Sequence, residues 1–173
     1  MWLKTCKYKK RVLLTGFTLV ELLVSVFTMV LIFSFGYADF RDFSRRKSLE
    51  GAAKTVESDL RLAQQMAISG KKPREPAGNV CTTTNLNGYY FSRVSSSTYR
   101  IEADCVGGRV SVKSNNLTTK FPGITLQSFT GILFNVLGAG TDIPAGVPRE
   151  IRMVVSATGE TRIVSVTQSG EIR

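Results

Sequence analysis

The sequence predicts an α+β fold: a long N-terminal helix, membrane-spanning in its first half and amphipathic in its second, packed on a C-terminal antiparallel β domain. Three observations predict it. Leu22 to Ala38 carries no charge. Leu49, Ala52, Ala53, Val56, Leu60, Ala63 and Ala67 then recur at three- and four-residue steps, the stripe of a one-sided helix. Beyond Gly70 the apolar period falls to two, the mark of half-buried strands.

The chain begins with a basic head, residues 1–16. Lys4, Lys7, Lys9, Lys10 and Arg11 lie there without an acidic residue. Of 23 basic and 13 acidic residues, 18 and 13 remain after Gly16, so a formal charge of +10 drops to +5. Half of the basic excess belongs to the head, which weakens any argument from charge for nucleic-acid binding and fits the positive-inside rule. Residues 17–38 are apolar nearly throughout. As a helix they rise about 33 Å, close to the thickness of a bilayer core. Thr18, Ser25, Thr28 and Ser34 can bond back to the helix backbone. Tyr37 suits a membrane interface, and Gly36 offers a bend.

Residues 39–69 carry the helix onward. Arg41, Asp42, Arg45, Arg46 and Lys47 form a charged collar before the apolar stripe. Glu50–Lys54 and Glu57–Arg61 are spaced i, i+4 in the favourable order. Gly51 is an internal weak point, and Gly70 followed by Lys71-Lys72-Pro73 stops the helix. Residues 70–173 form the β-rich domain. Strands are expected at Tyr89–Phe91, Thr98–Ala103, Val110–Lys113, Ile124–Phe129, Ile132–Val136, Ile151–Val155 and Arg162–Val166, with turns at Ser95-Ser96-Ser97 and Gly159-Glu160. Gly138 to Pro148 is a long irregular connection. The helical stripe can cover one face of these strands.

Enzymatic chemistry is not indicated. The chain has no histidine, which removes the commonest general base and metal ligand. It carries no phosphate-binding loop and no nucleophile elbow. No cofactor and no metal are expected. Glu102 and Asp104 alternate with Arg100 along a strand and read as a solvated edge. Lys71, Lys72 and Arg74 share one loop, and Arg149, Arg152, Arg162 and Arg173 lie on the terminal strands. With Tyr89, Tyr90 or Tyr99 for stacking they could hold nucleic acid; the alternative is a soluble surface with scattered charges.

Gly16-Phe17-Thr18-Leu19-Val20-Glu21, which joins head to apolar run, is the most specific motif. Residues 16–26, GFTLVELLVSV, resemble the processing site of type IV prepilins and type II secretion pseudopilins. The resemblance implies cleavage by prepilin peptidase, a membrane aspartyl enzyme, between Gly16 and Phe17, and N-methylation of Phe17. It further implies that Glu21 pairs with the N-terminal amine of a neighbouring subunit during assembly. An ordinary signal peptide is the alternative, and its small-x-small site is only passable at Ser34-Phe35-Gly36 or Gly36-Tyr37-Ala38. Cleavage would remove Cys6 and leave Cys81 and Cys105 as an even pair outside the cytoplasm, where oxidation is allowed. A bond between them would close a loop of about 25 residues, worth about 3.5 kcal/mol in the loop-entropy account; two free buried thiols are the alternative.

Phe134 with Gly138, Ile151 to Val155, and Thr161 to Arg173 are similar to the GspH/FimT group of minor pseudopilins. DNA-binding members of that group end in Gly-Arg-x-Arg. Here the tail reads Gly170-Glu171-Ile172-Arg173, and Glu171 repels phosphate. The resemblances imply a minor pilin or pseudopilin of a type IV pilus or secretion filament. Its partners would be the peptidase, other pilin subunits and an inner-membrane assembly platform. It would lie single-pass in the cytoplasmic membrane, N-terminus inside, until assembly into a surface filament. The alternatives are a DNA-binding or adhesive minor pilin, and a membrane-anchored domain that never polymerises.

Overall fold

A computed structural model describes residues 16–73 and 79–173, with only the backbone for 35–39. The basic head up to residue 15, Cys6 within it, Arg74, and the side chain of Tyr37 lie outside the described residues, as does the bend expected at Gly36. The chain divides into two compact units, the first ending at Asp42 and the second spanning Phe43–Arg173. Helix α1 is Leu19–Ser69, and its two stretches belong to different units.

The fold is α+β with antiparallel sheets at its C-terminal side, but the expected membrane-spanning half is overturned. No helix among the described residues is long and apolar enough to cross a membrane. The apolar stretch whose side chains are described, residues 19–34, rises only about 24 Å as a helix, against about 30 Å of hydrocarbon. Glu21 falls inside its first turn.

In the second unit the apolar stripe is buried as its spacing requires, apart from Ala53, which is half-buried. Leu49, Ala52, Val56, Leu60, Ala63 and Ala67 are each 1 % exposed or less. After α1 come a short helix α2 (Val80–Thr83) and strands β1 (Leu86–Arg93), β2 (Thr98–Cys105) and β3 (Gly108–Asn116). A single turn α3 (Leu117–Lys120) leads to β4 (Ile124–Leu126), β5 (Ile132–Asn135), β6 (Arg149–Val155) and β7 (Thr161–Val166). These strands form two sheets rather than one. The first has the order β3-β2-β1-β5 and the second β4-β6-β7, with every named pairing antiparallel. The sheets are tied at one corner, where Leu126 and Leu117 donate their amides to the Ser96 and Ser97 carbonyls of the β1–β2 turn.

Side chains alternate along β2 between half-buried and buried, and Tyr99, Ile101, Ala103 and Cys105 join Tyr89 and Phe91 in the core with the α1 stripe. β2 is an inner strand, which corrects the expected solvated edge. Arg100, Glu102 and Asp104 are half-buried, Arg100 pairs with Glu102 at 3.4 Å, and Asp104 pairs with Arg109 at 2.8 Å. Gly51 also has a packing reason. A Cβ there would stand 2.8 Å from the Phe121 ring, so the missing side chain makes room for an aromatic ring beside the helix. The C-terminal residues fold back on β7: Ile172 bridges Val166, and Ser165 and Arg173 exchange both backbone hydrogen bonds.

Candidate assembly surface

Thr18 sets the start of α1. Its carbonyl accepts the first helical bond from the Leu22 amide at 3.1 Å, and its Oγ1 accepts from the Glu21 amide at 3.3 Å. This is the hydroxyl half of a capping box, with Glu21 at the third helical position. The Thr-x-x-Glu spacing was available in the sequence as a capping signal in its own right. The Glu21 carboxylate lies at the amide-rich end of the helix and is exposed.

Around it the helix is apolar on every side and uncovered. Phe17 is 77 % exposed and Ile32 71 %, and Leu19, Val20, Leu22, Leu23, Phe27, Met29 and Val30 are all exposed. The few hydroxyls do not break this surface. Ser25 donates to the Leu22 carbonyl at 2.9 Å, Thr28 to those of Val24 and Ser25, and Ser34 to that of Val30 at 2.8 Å. A helix of this kind is stable only when something apolar surrounds it. Gly16 and Phe17 precede the first turn in non-helical backbone, and a Cβ on Gly16 would meet nothing within 4 Å.

The cysteines are joined. Cys81 and Cys105 form a disulfide with Cα atoms 5.4 Å apart, tying α2 to the end of β2, and both are buried. The free-thiol alternative is thereby set aside.

The basic loop shows different chemistry from a stacking platform. Lys71 and Lys72 are exposed; Lys72 Nζ donates to the Thr84 carbonyl at 2.7 Å, and the Tyr89 hydroxyl donates to the Lys71 carbonyl. Tyr89 and Tyr99 are 1 % exposed and offer no face to a base. The Tyr90 ring is occupied by the Arg109 guanidinium, 3.7 Å from its centroid. On the terminal strands Arg152 pairs with Glu150 and Arg149 with Asp142, and in the tail Arg173 pairs with Glu171. Glu171 also raises the guanidinium pKa of Arg173.

One buried polar cluster escapes a reading by periodicity alone. Asp59, 4 % exposed, sits on the buried stripe three residues after Val56 and four before Ala63. Its carboxylate accepts from the Tyr99 hydroxyl at 2.6 Å, from Lys113 Nζ at 2.6 Å and from Asn115 Nδ2. Burial, with Asp59 adding to it, pushes the Tyr99 phenol well above its usual range. A carboxylate at a core-facing helical position demands donors, and that demand was the signal in the sequence. Where α1 meets β3 the same residue borders an open cleft of about 480 Å³ with Lys54, Glu57, Arg61, Gln65 and Lys113. The cleft cations are matched: Lys54 with Glu50, Arg61 with Glu57, and Lys113 with Asp59.

No family model, curated protein or solved structure matches the chain.

Proposed function

We propose that this chain is a structural subunit of a helical filament, a minor pilin or pseudopilin of the type IV pilus or type II secretion kind. One observation carries the reading. The helix that follows Gly16-Phe17 exposes apolar side chains around its whole circumference and holds a single carboxylate, Glu21, in its first turn. Neighbouring copies of the same helix supply the apolar cover. Cleavage between Gly16 and Phe17 supplies a cation, because the new α-amine of Phe17 lies within a turn of Glu21 along the chain and reaches the Glu21 of an adjacent copy. An amine and a carboxylate attract strongly once water is excluded, and each alone is poorly solvated there. Phe17 is then N-methylated, which keeps the positive charge. The Cys81–Cys105 bond supports an oxidising compartment for the β-bearing unit. Partners on this reading are prepilin peptidase, sister subunits and an assembly platform.

Mass spectrometry of the protein from its native cell tests the first step. The expected N-terminus is Phe17 carrying one added methyl group; an intact Met1, or a cut far downstream, removes the basis of the proposal. Glu21→Ala tests the second. It is expected to leave the level of folded protein unchanged and to abolish recovery of the subunit in sheared filaments. Normal incorporation of that variant would refute the pairing.

A further inference from the structure

Asn116-Leu117-Thr118 is the one Asn-x-Ser/Thr triplet of the chain. Such a triplet accepts an N-linked sugar where it lies at the surface of a protein outside the cytoplasm. That chemistry needs an exposed asparagine, a free carboxamide nitrogen and a hydroxyl two residues on. The structure supplies all three. Asn116 ends β3 and is exposed. Its Oδ1 accepts from the Thr118 amide at 3.0 Å and from the Thr118 hydroxyl at 2.7 Å. Its Nδ2 has no partner among the described residues. Two donors on Oδ1 draw electrons from the carboxamide, so the Nδ2 protons leave more easily. Leu117 is buried and donates its amide to the Ser97 carbonyl at 2.8 Å, which pins the turn to the core and leaves Asn116 outside it. Ser114, Thr119 and Lys120 around it are exposed and give a bulky solvated group room. The preceding Asn115 differs: it is half-buried, and its Nδ2 is engaged by Asp59.

We infer that Asn116 is a site of N-linked glycosylation. The donor class is a saccharide carried on a polyisoprenyl diphosphate. Nδ2 attacks the anomeric carbon, and a C–N bond forms there. The bond from that carbon to the diphosphate oxygen breaks, the lipid diphosphate leaves with the electron pair, and one Nδ2 proton passes to a base of the transferase. β3 is paired on one side only, and a sugar at its end shields the open edge from a further strand. The inference rests on the filament reading for the compartment of the β-bearing unit, which the Cys81–Cys105 bond also favours.

The test is peptide mapping by mass spectrometry of the full protein from its native cell. The peptide with Asn116 is expected to carry saccharide mass, and an amidase that cuts the sugar–asparagine bond is expected to leave aspartate at that position. Asn116→Asp keeps an oxygen for the Thr118 amide but has no carboxamide nitrogen. It is expected to lose the saccharide with its urea midpoint unchanged. Thr118→Val is expected to lose the saccharide too, and Thr118→Ser to keep it. Unmodified Asn116 in the native protein overturns the inference, as does saccharide retained by Thr118→Val. Unmodified Asn116 in a chain that begins at a methylated Phe17 leaves the filament reading standing. Saccharide at Asn116 in a chain that begins at Met1 supports the site and removes the filament reading.

Discussion

Replacing Asp59 should cost more than replacing any surface carboxylate of this protein, and the sum can be worked from its three donors. Asp59→Ala leaves the O–H of Tyr99, buried at 1 % exposure, without its acceptor. An unsatisfied buried donor costs about 1–3 kcal/mol. Asn115 loses one bond but keeps another to the Tyr99 oxygen at 3.3 Å, so about 1 kcal/mol is assigned to it. Lys113 has a side chain 40 % exposed and can turn to water, so its ion pair contributes about 1 kcal/mol or less. The expected loss is about 3 kcal/mol. Asp59→Asn keeps one acceptor oxygen and should lose about half of that, by the same reckoning. The assay is urea unfolding of the intact chain at pH 7, followed by near-ultraviolet circular dichroism, with equal slopes required. A cycle with Tyr99→Phe isolates the shared bond, and about 1–2 kcal/mol of coupling is expected. A loss below about 1 kcal/mol for Asp59→Ala, or additive single variants, would refute the claim that these donors anchor the helix.

Reducing Cys81–Cys105, or replacing both cysteines with alanine, should lower stability by about 3.5 kcal/mol, read as a shift of the urea midpoint; an unchanged midpoint would mean that the unfolded chain is not restrained by the bond. Burial raises the phenol pKa of Tyr89 as well as Tyr99. The unfolded chain releases these protons near pH 10 while the folded chain keeps them, so the unfolded state binds fewer protons there and stability falls as pH rises above about 10. Ultraviolet titration should show some of the five tyrosines ionising only on alkaline unfolding, and reversible ionisation of all five near pH 10 with native dichroism intact would contradict this. Gly170 has φ 86°, and a Cβ on it would stand 2.8 Å from Gln64 Nε2, which donates to the Gly170 carbonyl at 3.0 Å. Gly170→Ala should therefore cost about 2 kcal/mol, against about 1 kcal/mol for Gln64→Ala, which loses the bond alone; equal losses would show that the backbone angle carries no strain.

The elements of the β-bearing unit were largely legible because burial imposes period. The α1 stripe reads at helical spacing since its residues must all reach one core, and each of the seven expected strands overlaps an observed one. The strand expected at Ile124–Phe129 is shorter in the structure, where pairing with β6 ends at Leu126. What period cannot express is which sheet a strand joins. β5 follows β4 in the chain yet pairs with β1, a choice settled where Gly88 and Gly131 lack side chains: a Cβ would run into the Phe134 carbonyl at one and the Tyr90 phenol at the other. Gly51 looked like a flaw in the helix because its reason, Phe121, lies 70 residues away. Helical spacing alone does not single out Asp59, because its donors come from β2 and β3. At the candidate site the sequence marked Glu21 and also carried its cap, since Thr18 stands three residues before it, and the hydrogen bond from the Glu21 amide to Thr18 Oγ1 bears that spacing out.

The anchoring of α1 and the assembly proposed for it draw on separate groups, and this gives the proposal a sharp consequence. Within the second unit, Asp59, Gln64 and Gly51 fasten the later stretch of α1 to the strands, the tail and Phe121 through a buried carboxylate, a backbone carbonyl and an aromatic ring. Phe17 and Glu21 make none of these contacts and stand in solvent. A residue selected for the stability of the single chain would not be kept as an exposed phenylalanine beside a helix of exposed leucines, because that surface favours non-specific association. Variants should therefore fall into two classes. Changes at Asp59 or Gly170 shift the urea midpoint and reduce filament only in proportion to the folded protein remaining. Changes at Glu21 leave the midpoint in place and remove the filament. A Glu21 variant that unfolds as readily as Asp59→Ala would show that the carboxylate serves the fold of its own chain, and the assembly reading would lose its physical basis.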